Sequence, residues 1–259
     1  SSDTLEPVPA PAPPPFPLQA MSQSPRKDFL AVAVDAGGVA VVTMRREPVN
    51  TMSLGFWEAL LSTLLEMEGR DDVKAIVFQS GLKRDVFTAG NDLKELHVPS
   101  TTRERFTKFW VAQTTFLARL YKSPLVTVAA IRGACPAGGC CLALCCDYRV
   151  GTMQKATKLG LNEVALGVGP PVYWMKVMNK TVGFLRGERY LTLATMLDWN
   201  EALRVGMIDA AVEKDQLLPV AMKTAKQMLK LPFEARALTK VALRCELADA
   251  WEAQAHKEA

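Results

Sequence analysis

Between positions 125 and 147 the chain reads Leu125-Val-Thr-Val-Ala-Ala-Ile-Arg-Gly-Ala-Cys-Pro-Ala-Gly-Gly-Cys-Cys-Leu-Ala-Leu-Cys-Cys-Asp147, and Arg132 is the one charge before the closing aspartate. A run this apolar belongs in a core, yet Gly133, Pro136, Gly138 and Gly139 break its centre, so it cannot be one continuous element. The β-branched residues of 125–131, after Ser123-Pro124, predict a strand buried on both faces. Gly133, Pro136, Gly138 and Gly139 predict a tight turn of unusual backbone dihedrals, and the breaker-free residues 140–146 predict a buried helix. A turn that opens into a helix leaves several backbone N–H groups unpaired at the positive end of the peptide dipoles. Paired glycines let a ligand approach that backbone closely, so the expected occupant is an oxygen carrying negative charge. The run is about as long as a membrane span, but a charge and a broken helix at its middle disfavour that reading.

The 259 residues, 49% of them hydrophobic, suffice for one domain with a substantial core. A formal charge of +4 does not demand nucleic acid, although local Lys and Arg could hold a phosphorylated small molecule. Five of the six cysteines crowd into positions 135–146, too close for a disulfide framework. Without a CxxC pair or a nearby histidine they read as small buried thiols in a reducing compartment rather than as a zinc site.

Residues 1–28 are rich in Pro and Ala and are expected to be extended and disordered. Residues 29–35 and 39–44 alternate around Gly37-Gly38, the signal of a β-hairpin. Ser53 is placed to cap a helix running to Gly69, and 73–78 reads as a strand. The segment 87–96 passes from extended chain into a helix, with Asp92 as its cap, and 101–122 is a long helix stopped by Pro124. Beyond Asp147, strands at 148–151 and 157–161 precede a loop, 162–171, that carries Glu163. Helices at 185–197, 199–205, 215–231 and 233–247, with one strand at 208–212, complete an α/β chain. His97 and His256 read as surface residues.

Phe87-Thr-Ala-Gly-Asn-Asp-Leu93, Arg132-Gly-Ala-Cys-Pro-Ala-Gly-Gly-Cys140 and Gly160-Leu-Asn-Glu163 resemble, in order and spacing, the crotonase (enoyl-CoA hydratase/isomerase) superfamily. Ala-Cys-Pro-Ala-Gly-Gly-Cys and Gly-Leu-Asn-Glu are similar to the mitochondrial-type Δ3,Δ2-enoyl-CoA isomerase branch. The resemblance implies a crotonase-like spiral of ββα units over residues 29–196, a C-terminal helical region over 197–259, a homotrimer, and acyl-CoA thioester substrates. It implies no cofactor beyond the CoA of the substrate, no nucleic-acid partner, and a place in the mitochondrial matrix or, alternatively, a peroxisome-related organelle. Asp3 and Glu6 are unlike an intact transit peptide, and Lys257-Glu258-Ala259 is not a peroxisomal tripeptide.

A thioester α-proton is too weakly acidic for a carboxylate to remove in water, so the enolate oxygen must meet fixed donors. Position by position, the resemblance assigns these donors to the backbone N–H groups of Asn91 and Gly138. It assigns substrate contacts to Ala89, Gly90, Asn91, Asp92, Leu93, Gly138 and Asn162, and the base to Glu163. Arg45, Arg46 and Lys94 are candidates for the CoA phosphates. Hydratases of the family carry a second glutamate where this chain has Cys141, and Gly169-Pro170-Pro171-Val172 replaces their GGTQ-like segment, so double-bond isomerisation by one base is expected. The alternatives are other acyl-CoA chemistry of the family, such as dienoyl-CoA isomerisation or hydration, and a non-catalytic RNA-binding relative, which salt-dependent RNA affinity would reveal.

Overall fold

Gly37 and Gly38 close the first hairpin. In the computed structural model, which describes residues 29–255, β1 (Leu30–Val34) pairs antiparallel with β2 (Val39–Met44). Gly38 takes φ of +75°, and Asp35 Oδ1 accepts from the N–H groups of Gly37 (2.9 Å) and Val39 (3.0 Å), holding the turn from its own side chain. The expectations for residues 1–28 and for His256 lie outside the described residues.

Strand–helix crossovers follow: α1 (Leu54–Glu68), β3 (Ala75–Ser80), α2 (Arg103–Lys122), β4 (Val126–Ile131), β5 (Ala134–Pro136), α3 (Ala137–Cys145), β6 (Tyr148–Thr152) and β7 (Lys158–Gly160). Then come α4 (Val172–Val182), α5 (Phe184–Thr192), β8 (Leu197–Asp198), α6 (Trp199–Arg204), β9 (Ala210–Val212), α7 (Leu217–Met228) and α8 (Phe233–Gln254). One sheet runs β1-β2-β3-β4-β6-β9, parallel from β2 onward, and a smaller one runs β5-β7-β8. This is the ββα succession that the sequence motifs imply.

The apolar run of β4 has a simple cause. Ala129 and Ile131 face the core built by Phe56, Trp57 and Leu60 of α1 with Phe116 and Leu117 of α2, while Val126, Val128 and Ala130 face Leu217, Ala221 and Ala225 of α7. With helices on both sides of a parallel sheet, every position of a central strand is interior.

Several boundaries differ from the sequence reading. The helix expected at 140–146 starts at Ala137, and a short strand, β5, precedes it because its edge is claimed by β7. Ser53 stands at the head of α1 without a side-chain bond; Glu95 Oε1 takes the N–H of Leu54 instead (3.1 Å). The segment after Asp92 makes only a 3-10 turn, Leu93–Glu95, and the loop holding Glu163 is likewise a 3-10 turn, Glu163–Leu166, closed by Gly167 at φ of +78°. Residues 193–197 leave the helical path to form β8. In contrast, α8 runs past 247 to Gln254, since Trp251 stacks on Tyr173 at 5.7 Å and the Tyr173 hydroxyl donates to Ala250 O (2.9 Å).

The C-terminal helix is locked down by charge. Asp147, at the end of α3, accepts from Thr127 N (3.0 Å) and pairs with Lys240 (2.9 Å) and Arg244 (3.2 Å), with Arg236 at 3.7 Å. The same cations satisfy carbonyls at chain ends: Arg244 reaches Tyr121 O and Cys145 O, Lys240 reaches Leu125 O, and Arg236 reaches Pro124 O. Desolvation brings Lys240 down to about 8, with Asp147 opposing it. A cavity of about 560 Å³ opens beside these cations, away from the glycine turns. All six cysteines are free and five are buried, where desolvation lifts the thiols of Cys135, Cys140, Cys141 and Cys146. No helix among the described residues is long and apolar enough to cross a membrane.

Removing the shared anion strands three cations. Asp147→Ala is expected to lower the unfolding free energy by about 3–5 kcal/mol in urea titration. A midpoint equal to that of the unaltered chain would mean that the cluster adds nothing to α8 docking.

Candidate active site

Two backbone turns meet in the interior. The first is tied down by Asn50, buried and at φ of +52°. Its Nδ2 donates to Ser80 Oγ (3.1 Å) and Phe87 O (3.0 Å), its Oδ1 accepts from Arg46 N (2.8 Å), and its backbone O accepts from the Thr88 hydroxyl (2.7 Å). From there the chain alternates. Ala89 N donates to Val49 O (2.9 Å), Gly90 N to Thr88 Oγ1 (3.0 Å) and Asp92 N to Met52 O (3.0 Å). The N–H of Asn91 is passed over and has no acceptor among the described residues. Gly90, at φ of +82°, makes that possible.

The second turn follows β4. Gly133 sits at φ of +74° with no room for a side chain, since a Cβ would lie 1.9 Å from Asp85 O. Ala134 O then accepts from both Phe87 N (2.9 Å) and Thr88 N (3.3 Å), joining the two turns directly. At the entrance of α3 the left-handed residue is Ala137, φ of +49°, whereas Gly138 and Gly139 are already helical. The expectation that these two glycines supply unusual dihedrals is therefore corrected: they supply space. A Cβ on Gly138 would meet Asn91 Oδ1 at 2.9 Å, and one on Gly139 would meet Thr88 Cγ2 at 2.1 Å. In the first turn of the helix, the Gly138 N–H also lacks an acceptor among the described residues. A Cβ on Gly90 would lie only 3.8 Å from Gly138 N, so Asn91 and Gly138 are brought together.

Glu163 arrives at the first turns of α3 through the small sheet. Pro136 of β5 pairs with Gly160 of β7, and the 3-10 turn begins three residues later. The carboxyl is 7% exposed and neither oxygen has a hydrogen-bond partner among the described residues. Burial pushes it up from an ordinary 4.5 to about 7. Its charge also raises the Cys140 and Cys141 thiols, which places it against the first turns of α3. Val164, Leu166 and Val168 are exposed around it, so the acid sits behind an apolar rim. Asn162 is half-buried, with Oδ1 unpartnered among the described residues.

The other candidate residues are spread along the first turn. Ala89 is exposed between buried neighbours, and Leu93 is exposed. Asp92 caps the turn by accepting from Lys94 N (3.2 Å) and binds Arg46 (3.1 Å). Arg46 is committed within the chain, donating to Thr51 Oγ1 (2.8 Å) and lying over the Phe29 ring. Arg45, Lys94 and His97 are exposed. Sequence reasoning missed Asn50, Trp57, Gln113 and Glu95, all buried polar or amphipathic groups at the turns; a buried polar role was unreadable without knowing which loops meet.

The buried acid has a cost in stability. A carboxyl raised from 4.5 to about 7 holds its proton more tightly in the folded chain, so stability falls as pH rises through that interval and stays low above it. Glu163→Gln removes the penalty. At pH 8 it is expected to stabilise the fold by roughly 3 kcal/mol, and at pH 4.5 by far less, in denaturant titrations. Equal stability changes at the two pH values would contradict a desolvated acid.

The sequence and the fold are matched by relatives. Residues 35–259 match the family model described as enoyl-CoA hydratase/isomerase. The chain is 39% identical over 215 residues to the human protein named enoyl-CoA delta isomerase 1, mitochondrial, covering 82% of this chain and 70% of that protein. It is 36% identical to the mouse protein of that name, covering 86% and 76% respectively. The crystal structure of human mitochondrial delta3-delta2-enoyl-CoA isomerase superposes with a TM-score of 0.85 at 36% identity, covering 88% of each chain. With the ordered glycine turns, the fold and these matches in agreement, the chain belongs to the enoyl-CoA hydratase/isomerase family.

Proposed function

We propose that the chain is a Δ3,Δ2-enoyl-CoA isomerase. The observation that carries this reading is one unpaired, buried carboxyl, raised to about 7 and set against the first turns of α3, whose Gly138 N–H, like that of Asn91, lacks an acceptor among the described residues. The thioester oxygen accepts from the N–H groups of Asn91 and Gly138, and Glu163 removes a proton from C2. The C2–H electron pair forms a C1=C2 bond as the carbonyl pair moves onto the thioester oxygen, giving a dienolate. On collapse the carbonyl re-forms, the C1=C2 pair becomes the C2=C3 bond, and the C3=C4 pair takes the proton back from Glu163 at C4. Charge builds on the thioester oxygen in between, where each fixed donor is worth about 10²–10³ in kcat. An acid near pH 7 suits both halves of the transfer, since it must take and give back the same proton.

Ala89, Gly90, Asp92, Leu93 and Asn162 line the substrate path, and no cofactor is used beyond the CoA of the substrate. Arg45 and Lys94, both exposed, are the candidates for the CoA phosphates, and Arg46 is held by Asp92. Hydration is disfavoured because Cys141 is buried with its thiol raised, leaving it neutral and unable to manage a water as a carboxylate would. A dienoyl-CoA isomerase needs a second acid, and the two nearest along the first turn are engaged, Asp92 with Arg46 and Glu95 with Arg105. The relatives named as mitochondrial support a mitochondrial location, and the proposed reaction belongs to fatty-acid β-oxidation in the matrix. Leu231, Leu238 and Leu243, exposed at and along α8, offer apolar surface to a homotrimer.

Turnover of a 3-enoyl-CoA and hydration of a 2-enoyl-CoA, measured side by side, test the reading. Isomerisation without hydration is expected, and Glu163→Gln is expected to lower it by at least about 10²–10⁴-fold. Substantial hydration, or isomerisation that survives the substitution, would contradict the single-base mechanism.

A further inference from the structure

We propose that Trp57 and Gln113 are positioning residues that set the Asn91 N–H as an oxyanion donor, acting through the Asn91 side chain; this rests on the isomerase reading above. Trp57 Nε1 donates to Asn91 Oδ1 (3.2 Å), and Asn91 Nδ2 donates to Gln113 Oε1 (2.7 Å). Trp57 is 0% exposed and Gln113 1% exposed, so neither group can turn to solvent instead.

The direction of the relay is fixed by chemistry. An indole N–H can only donate, so the asparagine oxygen must face it and the asparagine NH2 must point the other way. Rotating the Asn91 amide would set two N–H groups against each other at the indole. The Gln113 oxygen is then the one acceptor left for Asn91, and Gln113 Nε2 ends the chain with no partner among the described residues. Leaving a buried amide donor unpaired costs free energy, yet this arrangement accepts that cost and keeps Asn91 in a single orientation.

The same indole borders the space beside the second donor. A Cβ on Gly138 would lie 2.9 Å from Asn91 Oδ1 and 3.2 Å from Trp57 Cζ2. The Trp57 ring edge and the Asn91 amide therefore fill the space that Gly138 leaves open, and one rigid group from α1 gauges the separation of both N–H groups. The hydrogen bonds to Gln113 and Trp57 link α2 and α1 to the first turn, so donor placement is set by two core helices rather than by the loop alone. The value of an oxyanion hole lies in such preorganisation, and small misplacements are costly.

The experiment is a double-substitution cycle on the full chain with a 3-enoyl-CoA substrate, reading kcat, KM and the thermal midpoint. Trp57→Phe keeps a ring and removes the N–H; Gln113→Leu keeps bulk and removes the acceptor; Asn91→Leu removes both bonds while leaving its backbone N–H. Trp57→Phe and Gln113→Leu are each expected to lower kcat about ten- to a hundred-fold with KM within about twofold. In the Asn91→Leu background, neither is expected to lower kcat further. Unchanged kcat in both single variants, or equal losses with and without Asn91→Leu, would overturn the proposal, the second outcome pointing to lost packing. Failure of the isomerase reading is distinguishable, because the unaltered chain itself would then not turn over the substrate.

Discussion

Ala134 O accepts from two consecutive N–H groups, those of Phe87 and Thr88, and this bifurcated contact depends on Gly133, where any side chain would collide with Asp85 O. It holds the turn after β3 against the turn after β4 with backbone touching backbone. The parallel sheet puts the ends of neighbouring strands side by side, as it must, but a packed pair of loops would ordinarily fill the gap with side chains. Here Gly90, Gly138 and Gly139 keep them out. The N–H groups of Asn91 and Gly138, which lack acceptors among the described residues, lie on the two turns so joined.

The chain around the turns is correspondingly stiff. Asn50 uses four side-chain bonds and a strained φ to link the ends of β2 and β3 to Phe87, and Glu95 heads α1 while paired to Arg105. Glu163 is the contrasting case. Neither carboxyl oxygen has a hydrogen-bond partner among the described residues, so burial, opposed by its own backbone N–H, raises it to about 7. Glu163 carries the cost of burial unpaired, while Asp147, whose side chain is 7% exposed, is surrounded by three cations and ties the C-terminal helix to the sheet.

Much of this was legible in the sequence, for identifiable reasons. The doubly buried strand at 126–131, the hairpin at Gly37-Gly38 and the long helix before Pro124 follow from local pattern, and three short motifs carried the family and the fold. What local pattern missed was decided by distant partners. Ser53 looked like a cap, but Glu95 from another loop took its place. Gly138 and Gly139 looked like sources of unusual dihedrals, but their reason is the space claimed by Asn91 and Thr88. Trp57 and Gln113 lie on apolar helix faces where nothing in sequence marks them as polar partners of a loop 22 or more residues away. The 3-10 turn that carries Glu163 was read as loop because four residues are too few to show a period.

The central claim is that burial without a partner makes Glu163 a base poised near neutral pH. The most direct measurement is the pH dependence of kcat/KM for 3-enoyl-CoA isomerisation, which reports the ionisations of the free enzyme. The account predicts a rate that climbs about tenfold per pH unit on the acid side and levels off at about 7. A profile that is flat down to pH 5, or that levels off near 4.5 as for an exposed glutamate, would contradict it.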